Sequence, residues 1–472
     1  MKEFDEYLKE IGECFGGSDD FVSIVGGEAE ARFALAFVRG ITSRDYISER
    51  ILRPLLREDI STFDGDLRTV IESPFLSECG DPRAAAESCA KGDVLVLTES
   101  KNGFFKALAN AAHTPGRGIQ EPSSDVTVRG PKAGFVEDAE TNTALLRRYI
   151  RTSKLRFIRR EVGSVSQTRV LIAYVEGRAS EGLVRDIDRR ISRLDASVIT
   201  DSANLAMLLE GRREAYLPSC GSTEKVDKAA SKLMAGRVAI IVDGSPFVLT
   251  LPFLFVEGLQ ASDDYLHTPY YATFIRVLRL IAFITAIFAP AILCAAVNHN
   301  YKAIPQSLYG IINESREGIP LSFFWEVMGI LLLFELLREV GVRMPRTVGD
   351  AVGIVGSIIL GNTAVEAGIV SSVGVITVAL AAVCAFITPA YMYFIVLARL
   401  LTLVAAELLG VRGIVLSAVT LFVMLCFKRS FGAHYMFPLV PFSARGMQDH
   451  IFCAPKRTLG RREDIISEGD DE

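Results

Sequence analysis

The pattern of apolar and polar positions changes character once along this chain. Charge is dense up to about residue 230 and nearly vanishes from the long hydrophobic runs that follow. In the charged part, short periodic segments alternate between helix and strand signals. Glu28 to Val38 holds good helix formers and reads as helical, and Pro82 to Ala90 reads as an alanine-rich helix opened by Asp81 and Pro82. Asp93 to Thr98 reads as a strand after Gly92. Further on come a helix at Asn142–Ile150, strands at Leu155–Glu161 and Arg169–Val175, and an amphipathic helix at Glu181–Leu194 with Leu183, Val184, Ile187, Ile191 and Leu194 on one face. Lys225–Ala235 then repeats the helix signal, Gly236 ends it, and Arg237–Val242 is a strand that Asp243-Gly244-Ser245-Pro246 turns into Phe247–Leu251. The stretches KGDVLVLTES and AGRVAIIVDGS thus use one helix, glycine, strand unit twice. Two explanations stay open, a pair of related subdomains or a junction that is common in any fold.

The apolar part reads differently. Leu280–Val297 is an uncharged run of membrane-spanning length with Pro290 inside it, and Arg276 and Arg279 precede it on the expected cytoplasmic side. The polar stretch Asn298–Pro320 is expected to be external. Leu321–Leu337 is apolar except for Glu326 and Glu335. Either both carboxylates lie near helix ends and reach water, or Glu335 pairs with Arg338 three residues on at the inner boundary, which is the favoured reading. Arg338, Arg343 and Arg346 form a short basic loop, placed inside by the positive-inside rule. In Val348–Val365, Gly349, Gly353, Ser357 and Gly361 recur every fourth residue, a small-residue stripe suited to close helix packing. Asn362 and Glu366 are polar at or near membrane depth, where polarity is expensive. Ala367–Ala398 is uncharged with a junction at Thr388-Pro389, Arg399 returns to the inside, and Leu400–Phe427 is broken by Glu407, Gly410, Arg412 and Gly413.

The expected fold is two α/β cytoplasmic subdomains followed by an α-helical transmembrane domain of four to six spans. The expected boundaries are 1–112 and 129–270 for the subdomains, 113–128 for a linker, 271–430 for the membrane domain and 431–472 for a cytoplasmic tail, solvated from Lys456 onward. Both termini are expected in the cytoplasm, and the acidic start Met1-Lys2-Glu3-Phe4-Asp5-Glu6 carries no signal peptide.

A net charge of −5 argues against nucleic acid as a partner. The eight cysteines form no C-x-x-C pair and the five histidines no zinc spacing, so neither a disulfide framework nor a metal site is expected. Gly130-Pro131-Lys132-Ala133-Gly134-Phe135 lacks the spacing of a phosphate-binding loop, and Ser245 has no histidine nearby in sequence. With no paired acid and base, no enzyme and no cofactor are expected. The candidate residues are therefore membrane ones. Gly349, Gly353, Ser357, Gly361, Asn362 and Glu366 are candidates for helix packing or a channel, and Glu335, Arg338, Glu339, Arg343 and Pro345 for a coupling loop between the soluble body and the striped helix.

Five stretches carry a family resemblance: VRGPKAGFVEDAETNTALLRR (Val128–Arg148), GRVAIIVDGSPFVLTLP (Gly236–Pro252), DDYLHTPYYATFIRVLRLIAF (Asp263–Phe283), FELLREVGVRMPRTVGDAVGIVGSIILGNTAVEAGIVSS (Phe334–Ser372) and FPLVPFSARGMQD (Phe437–Asp449). In this order, over roughly residues 20–462, the chain resembles the A subunits of bacterial spore germinant receptors, the GerA family. Three positions depart from the family pattern: Thr223-Glu224-Lys225-Val226-Asp227, Asn362 after Gly361, and Glu121-Pro122-Ser123-Ser124-Asp125. They suggest a divergent member or the branch of the stage V sporulation protein AF. The resemblance implies a protein of the spore inner membrane that works with a transporter-like B subunit and a lipoprotein C subunit. It also implies self-association into a homo-oligomer that conducts cations when a germinant is sensed. The alternative is a scaffold that assembles receptor complexes among membrane lipids without conducting.

Overall fold

The computed structural model describes residues 2–28, 31–57, 67, 70–73, 76–100, 103–113, 131–211, 216–299, 305–343, 361–443, 446 and 453. The expected linker at 113–128, apart from His113, and the tail from Lys456 lie outside the described residues, as do Arg346 and most of the striped segment.

The chain opens with helix α1 (Lys2–Phe15), followed by strands β1 (Phe21–Glu28) and β2 (Ala31–Val38), a helical stretch over 44–57, and β3 (Leu76–Glu78). Helix α2 (Pro82–Cys89), β4 (Asp93–Ser100) and β5 (Gly103–Asn110) complete an antiparallel sheet of order β1-β2-β4-β5-β3. One face packs on α1 and α2 through Phe4, Ile11, Phe15, Ala85 and Cys89, and the other on Ile47, Ile51 and Leu55 of the 44–57 stretch. This two-sided burial corrects the helical reading of Glu28–Val38. Ala34, Ala36 and Val38 face α1 and α2 while Phe33, Leu35 and Phe37 face the opposite layer, so every position is apolar and the period-2 alternation that marks a strand is erased.

The second sheet-containing region repeats the plan. Helix α3 (Ala139–Tyr149) precedes β6 (Leu155–Val162) and β7 (Thr168–Val175); α4 (Glu181–Ser192) and α5 (Ser202–Glu210) precede β8 (Gly221–Thr223); α6 (Val226–Met234) precedes β9 (Val238–Val242) and β10 (Val248–Leu251). The sheet order is β6-β7-β9-β10-β8, the order of the first sheet strand for strand. The helix, glycine, strand unit is therefore one repeated part of a repeated topology. Gly92 (φ +110°) and Gly236 (φ +82°) hold equivalent places after α2 and α6. A Cβ at Gly92 would lie 2.8 Å from the Ala112 Cβ, and one at Gly236 would lie 2.7 Å from the Arg178 carbonyl oxygen, so both turns require glycine. The expected hairpin at Asp243-Gly244 is present, with Leu249 opposite Ile240.

Helices follow: α7 (Pro269–Asn298), α8 (Gln306–Ser315), α9 (Phe323–Arg343), a short helical stretch over 361–366, α10 (Ser372–Phe386), α11 (Met392–Leu409) and α12 (Val411–Phe427). Pro290 sits inside an unbroken α7, the Thr388-Pro389 junction is a 3-10 turn (Pro389–Tyr391), and Gly410 (φ +60°) breaks the last apolar region into α11 and α12. Pro269–Asn298 and Pro389–Leu409 are long and apolar enough to cross a membrane; α10 and α12 are apolar but shorter. Helix α11 packs along α7 through Phe283, Ala286, Phe394, Ile395 and Ala398, and the Thr402 hydroxyl donates to the Ile287 carbonyl (3.2 Å). After α12 the chain returns to the second sheet as the two-stranded ribbon β11 (Arg429–Ser430) and β12 (Ala433–His434), with Phe431 buried among that sheet's apolar residues.

Candidate functional site

The candidate positions divide. Gly349, Gly353, Ser357 and Pro345 lie outside the described residues. Gly361, Asn362 and Glu366 fall in the 361–366 helical stretch, where Asn362 and Glu366 are exposed on the single chain and a Cβ on Gly361 would meet nothing within 4 Å. Glu335 Oε2 and Arg338 Nη2 form the expected pair at 2.7 Å. Arg343 Nε donates to Glu339 Oε1 (2.6 Å) on the exposed side of α9.

Glu335 has a second partner that the local spacing does not reveal. Its Oε1 accepts from Arg399 Nη2 of α11 at 2.7 Å. Arg399, expected at the inner boundary, is instead 1% exposed near the middle of α11, between Phe394, stacked on Phe283, and Thr402. Its signal in the sequence is a single charge between two apolar runs; the partner lies 64 residues away.

Glu326 also departs from expectation. It does not reach water: it is 1% exposed, and its Oε1 accepts from the Ser371 N–H (2.7 Å) and the Ser371 hydroxyl. Arg316 Nε stands 3.5 Å from its Oε2. Ser371 in turn caps α10 by accepting from Gly374 N (3.1 Å), so the carboxylate sits where the α10 dipole favours negative charge. A Cβ on Gly374 would run into Glu326 Oε1, which explains a glycine inside the first turn. Glu326 and Glu335 are nine residues apart on α9, roughly 14 Å along the axis, and tie it to α10 and α11 respectively. Near Glu326, Asn298 Nδ2 donates to Glu407 Oε2 (2.7 Å) and His299 Nε2 to the Glu407 carbonyl (2.6 Å), locking the α7 and α11 ends together.

The opposite end of the bundle meets the soluble body. Past β10, a 3-10 turn at Phe255–Leu259 carries the buried Glu257, which accepts from Arg237 Nη2 and pairs with Lys232 Nζ (2.7 Å). Burial holds the Lys232 ammonium below its ordinary range, and Glu257 opposes that shift. Asp264 then takes Arg276 Nε (3.2 Å) and both terminal nitrogens of Arg279 (2.7 and 2.9 Å) at the start of α7. The Tyr391 hydroxyl donates to the Phe255 carbonyl, with the two rings 5.2 Å apart, and Phe255 N donates to the Tyr435 carbonyl (2.9 Å). Ser430 Oγ donates to the Ser219 carbonyl (2.8 Å) and Lys428 Nζ to the Leu217 carbonyl. The first helix start, the α10–α11 junction and the last helix end are thus all fastened to the sheet-containing body. The described link between body and bundle runs through these segments, to which the sequence reading assigned no coupling role. Among the described residues no three His, Cys, Asp or Glu side chains converge as metal ligands, and Ser245 Oγ meets only Ser202 Oγ (3.0 Å) and Phe247 N (3.3 Å).

Comparison with known proteins matches residues 9–465 to the family described as Bacillus/Clostridium GerA spore germination protein. Spore germination protein KA of Bacillus subtilis (strain 168) is 34% identical, covering 99% of this chain and 87% of that protein. YfkQ of the same organism, described as an uncharacterized membrane protein, is 31% identical over 92% of this chain and 85% of its own. The crystal structure of the N-terminal domain of the A subunit of the Bacillus megaterium spore germinant receptor GerK3 aligns with a TM-score of 0.41 and 26% identity, over 53% of this chain and 95% of that one.

Proposed function

This chain belongs to the family of Bacillus/Clostridium GerA spore germination proteins, and on that premise we propose that it is the membrane-embedded A subunit of a nutrient germinant receptor in the spore inner membrane. The observation that carries the proposal is the continuous match to germination proteins across both the sheet-containing and the helical parts of the chain. In this reading the subunit associates with copies of itself to form a cation path, and works with a transporter-like B subunit and a lipoprotein C subunit.

A path of six crossings fits the helix contacts that put the start of α7 and the end of α12 at one level, and the cytoplasmic side for both termini follows from the basic residues Arg276, Arg279, Lys428 and Arg429 near that level. Pro269, Tyr391 and Lys428 lie at the level of the soluble body. Asn298, Glu326, Ser371 and Glu407 lie at the far level. Among the described helices α7 and α11 run toward the far level and α9, α10 and α12 run back from it, and a further crossing through Gly349, Gly353, Ser357 and Gly361 is inferred from the sequence stripe alone. Exposed aromatic side chains at both levels, Tyr270 at 90% and Trp325 at 62%, suit the two interfacial belts of a membrane protein. Asn362 and Glu366, exposed on the single chain, line the path between copies, where rings of acidic side chains favour cations.

The direct test is removal of this chain in the spore-former that encodes it. Spores lacking it are expected to lose the germination response to one set of nutrients while keeping the response to agents that bypass receptors. An unchanged nutrient response across a broad nutrient panel would overturn the proposal.

A further inference from the structure

Among the described residues several arginines are buried, and two of them, Arg147 and Arg399, are treated in opposite ways. Arg147 of α3, with 0% side-chain exposure, donates Nε and Nη2 to the two oxygens of Asp20 (2.7 and 3.0 Å), Nη1 to the Thr152 carbonyl (2.8 Å) and Nη2 again to the Leu155 carbonyl (2.8 Å). Among the described residues Arg399 of α11, with 2% side-chain exposure, makes a single hydrogen bond, from Nη2 to Glu335, while its Nε and Nη1 are buried without an acceptor. Glu335 is shared with Arg338, whose Nη1 is also buried and unmatched. Two guanidinium groups therefore divide one carboxylate, Arg399 from within the bundle and Arg338 from a partly exposed position (23%), leaving the cluster one positive charge in excess and, among the described residues, three donors and the Glu335 Oε2 acceptor without a hydrogen bond. Each unmatched buried donor weighs against this arrangement by on the order of tenfold in the equilibrium with a conformation in which that donor is hydrated or paired.

We propose that Arg399 is a loaded charge that favours rearrangement of the bundle, and that Glu335 is the latch that holds α9 to α11 in the arrangement described. The idea rests on the conducting reading above and adds its regulation: an opening that admits water to Arg399 relieves the mismatch, so the resting state is held by one shared carboxylate rather than by a matched network. The two members of one ion pair then have opposite effects. Removing the carboxylate frees the charge; removing the charge leaves the partly exposed Glu335 still ion-paired with Arg338 and quiets the bundle.

The test uses the full chain with its receptor partners, in liposomes for cation leak and in detergent for thermal unfolding. Glu335→Gln is expected to raise nutrient-independent leak by tenfold or more and to lower the unfolding midpoint. Arg399→Leu is expected to suppress nutrient-triggered flux and to raise the midpoint by about 2 °C or more. The double variant, Glu335→Gln with Arg399→Leu, is expected to return to the low leak of the unmodified chain. A midpoint lowered by both single variants, as for an ordinary stabilising ion pair, would overturn the latch, and so would a leak that persists in the double variant. The thermal ordering decides the latch even if the unmodified receptor conducts nothing, so failure of the latch and failure of the channel are read separately.

Discussion

At the scale of single residues, buried charges mark where this chain joins its parts. Arg147 and Asp20 tie α3 to the segment before β1, alongside the bonds from Asp19 N to the Phe157 carbonyl (2.9 Å) and from Phe157 N to Ser18 Oγ (3.0 Å). Asp20→Asn leaves a buried guanidinium half matched, and is expected to destabilise the soluble body by about 3–5 kcal/mol in chemical denaturation. A change below about 1 kcal/mol would remove this pair from the joints that matter. Asp138 caps α3 by accepting from Thr141 N (2.8 Å) and the Thr141 hydroxyl (2.5 Å). Burial raises its carboxyl, but those hydrogen bonds outweigh it and hold the group below its ordinary 3.8. A carboxylate depressed in the folded state stabilises above its unfolded value and loses that contribution as pH falls through the folded one. Asp138→Ala is therefore expected to cost about 1 kcal/mol at pH 7, with the difference from the unmodified chain shrinking toward zero on acidification below 3.8. A gap independent of pH would contradict the charged cap.

At the scale of elements, what could be read from sequence followed the range of the interaction. The Glu335–Arg338 pair, three residues apart, was legible because helix geometry alone brings such residues together. Arg399 and Ser371 were not, because their carboxylate partners lie 64 and 45 residues away and only the packing of α9 on α11 and α10 joins them. Turn chemistry was legible where one residue type answers one backbone need, as at Gly92, Gly236, Gly410 and the Thr388-Pro389 junction. Strand β2 was illegible for the opposite reason: burial on both faces removes the alternation that distinguishes a strand from a helix. Contacts at Glu257, Asp264, Tyr391 and Lys428 fasten the bundle to the second sheet, while coupling through Glu335, Arg338, Glu339, Arg343 and Pro345 stands as an expectation from the sequence.

At the scale of the whole molecule, a duplicated sheet body is attached to one end of a helical bundle, through the chain segments that enter and leave that bundle. The duplication was visible in sequence only as one repeated helix, glycine, strand unit; the shared strand order shows that the repeat extends to the whole sheet. The first helix start and the last helix end are fastened to one body, and Arg399 lies in the middle of the bundle between them. The central claim is that this assembly conducts cations on a nutrient signal. The most direct measurement is cation efflux from liposomes that hold this chain with its transporter-like and lipoprotein partners, compared with the same liposomes carrying Glu366→Gln. The account predicts efflux on nutrient addition, with altered cation selectivity or reduced flux in the variant. No efflux under any nutrient would contradict conduction, and efflux with unchanged conductance and selectivity in Glu366→Gln would remove that side chain from the path.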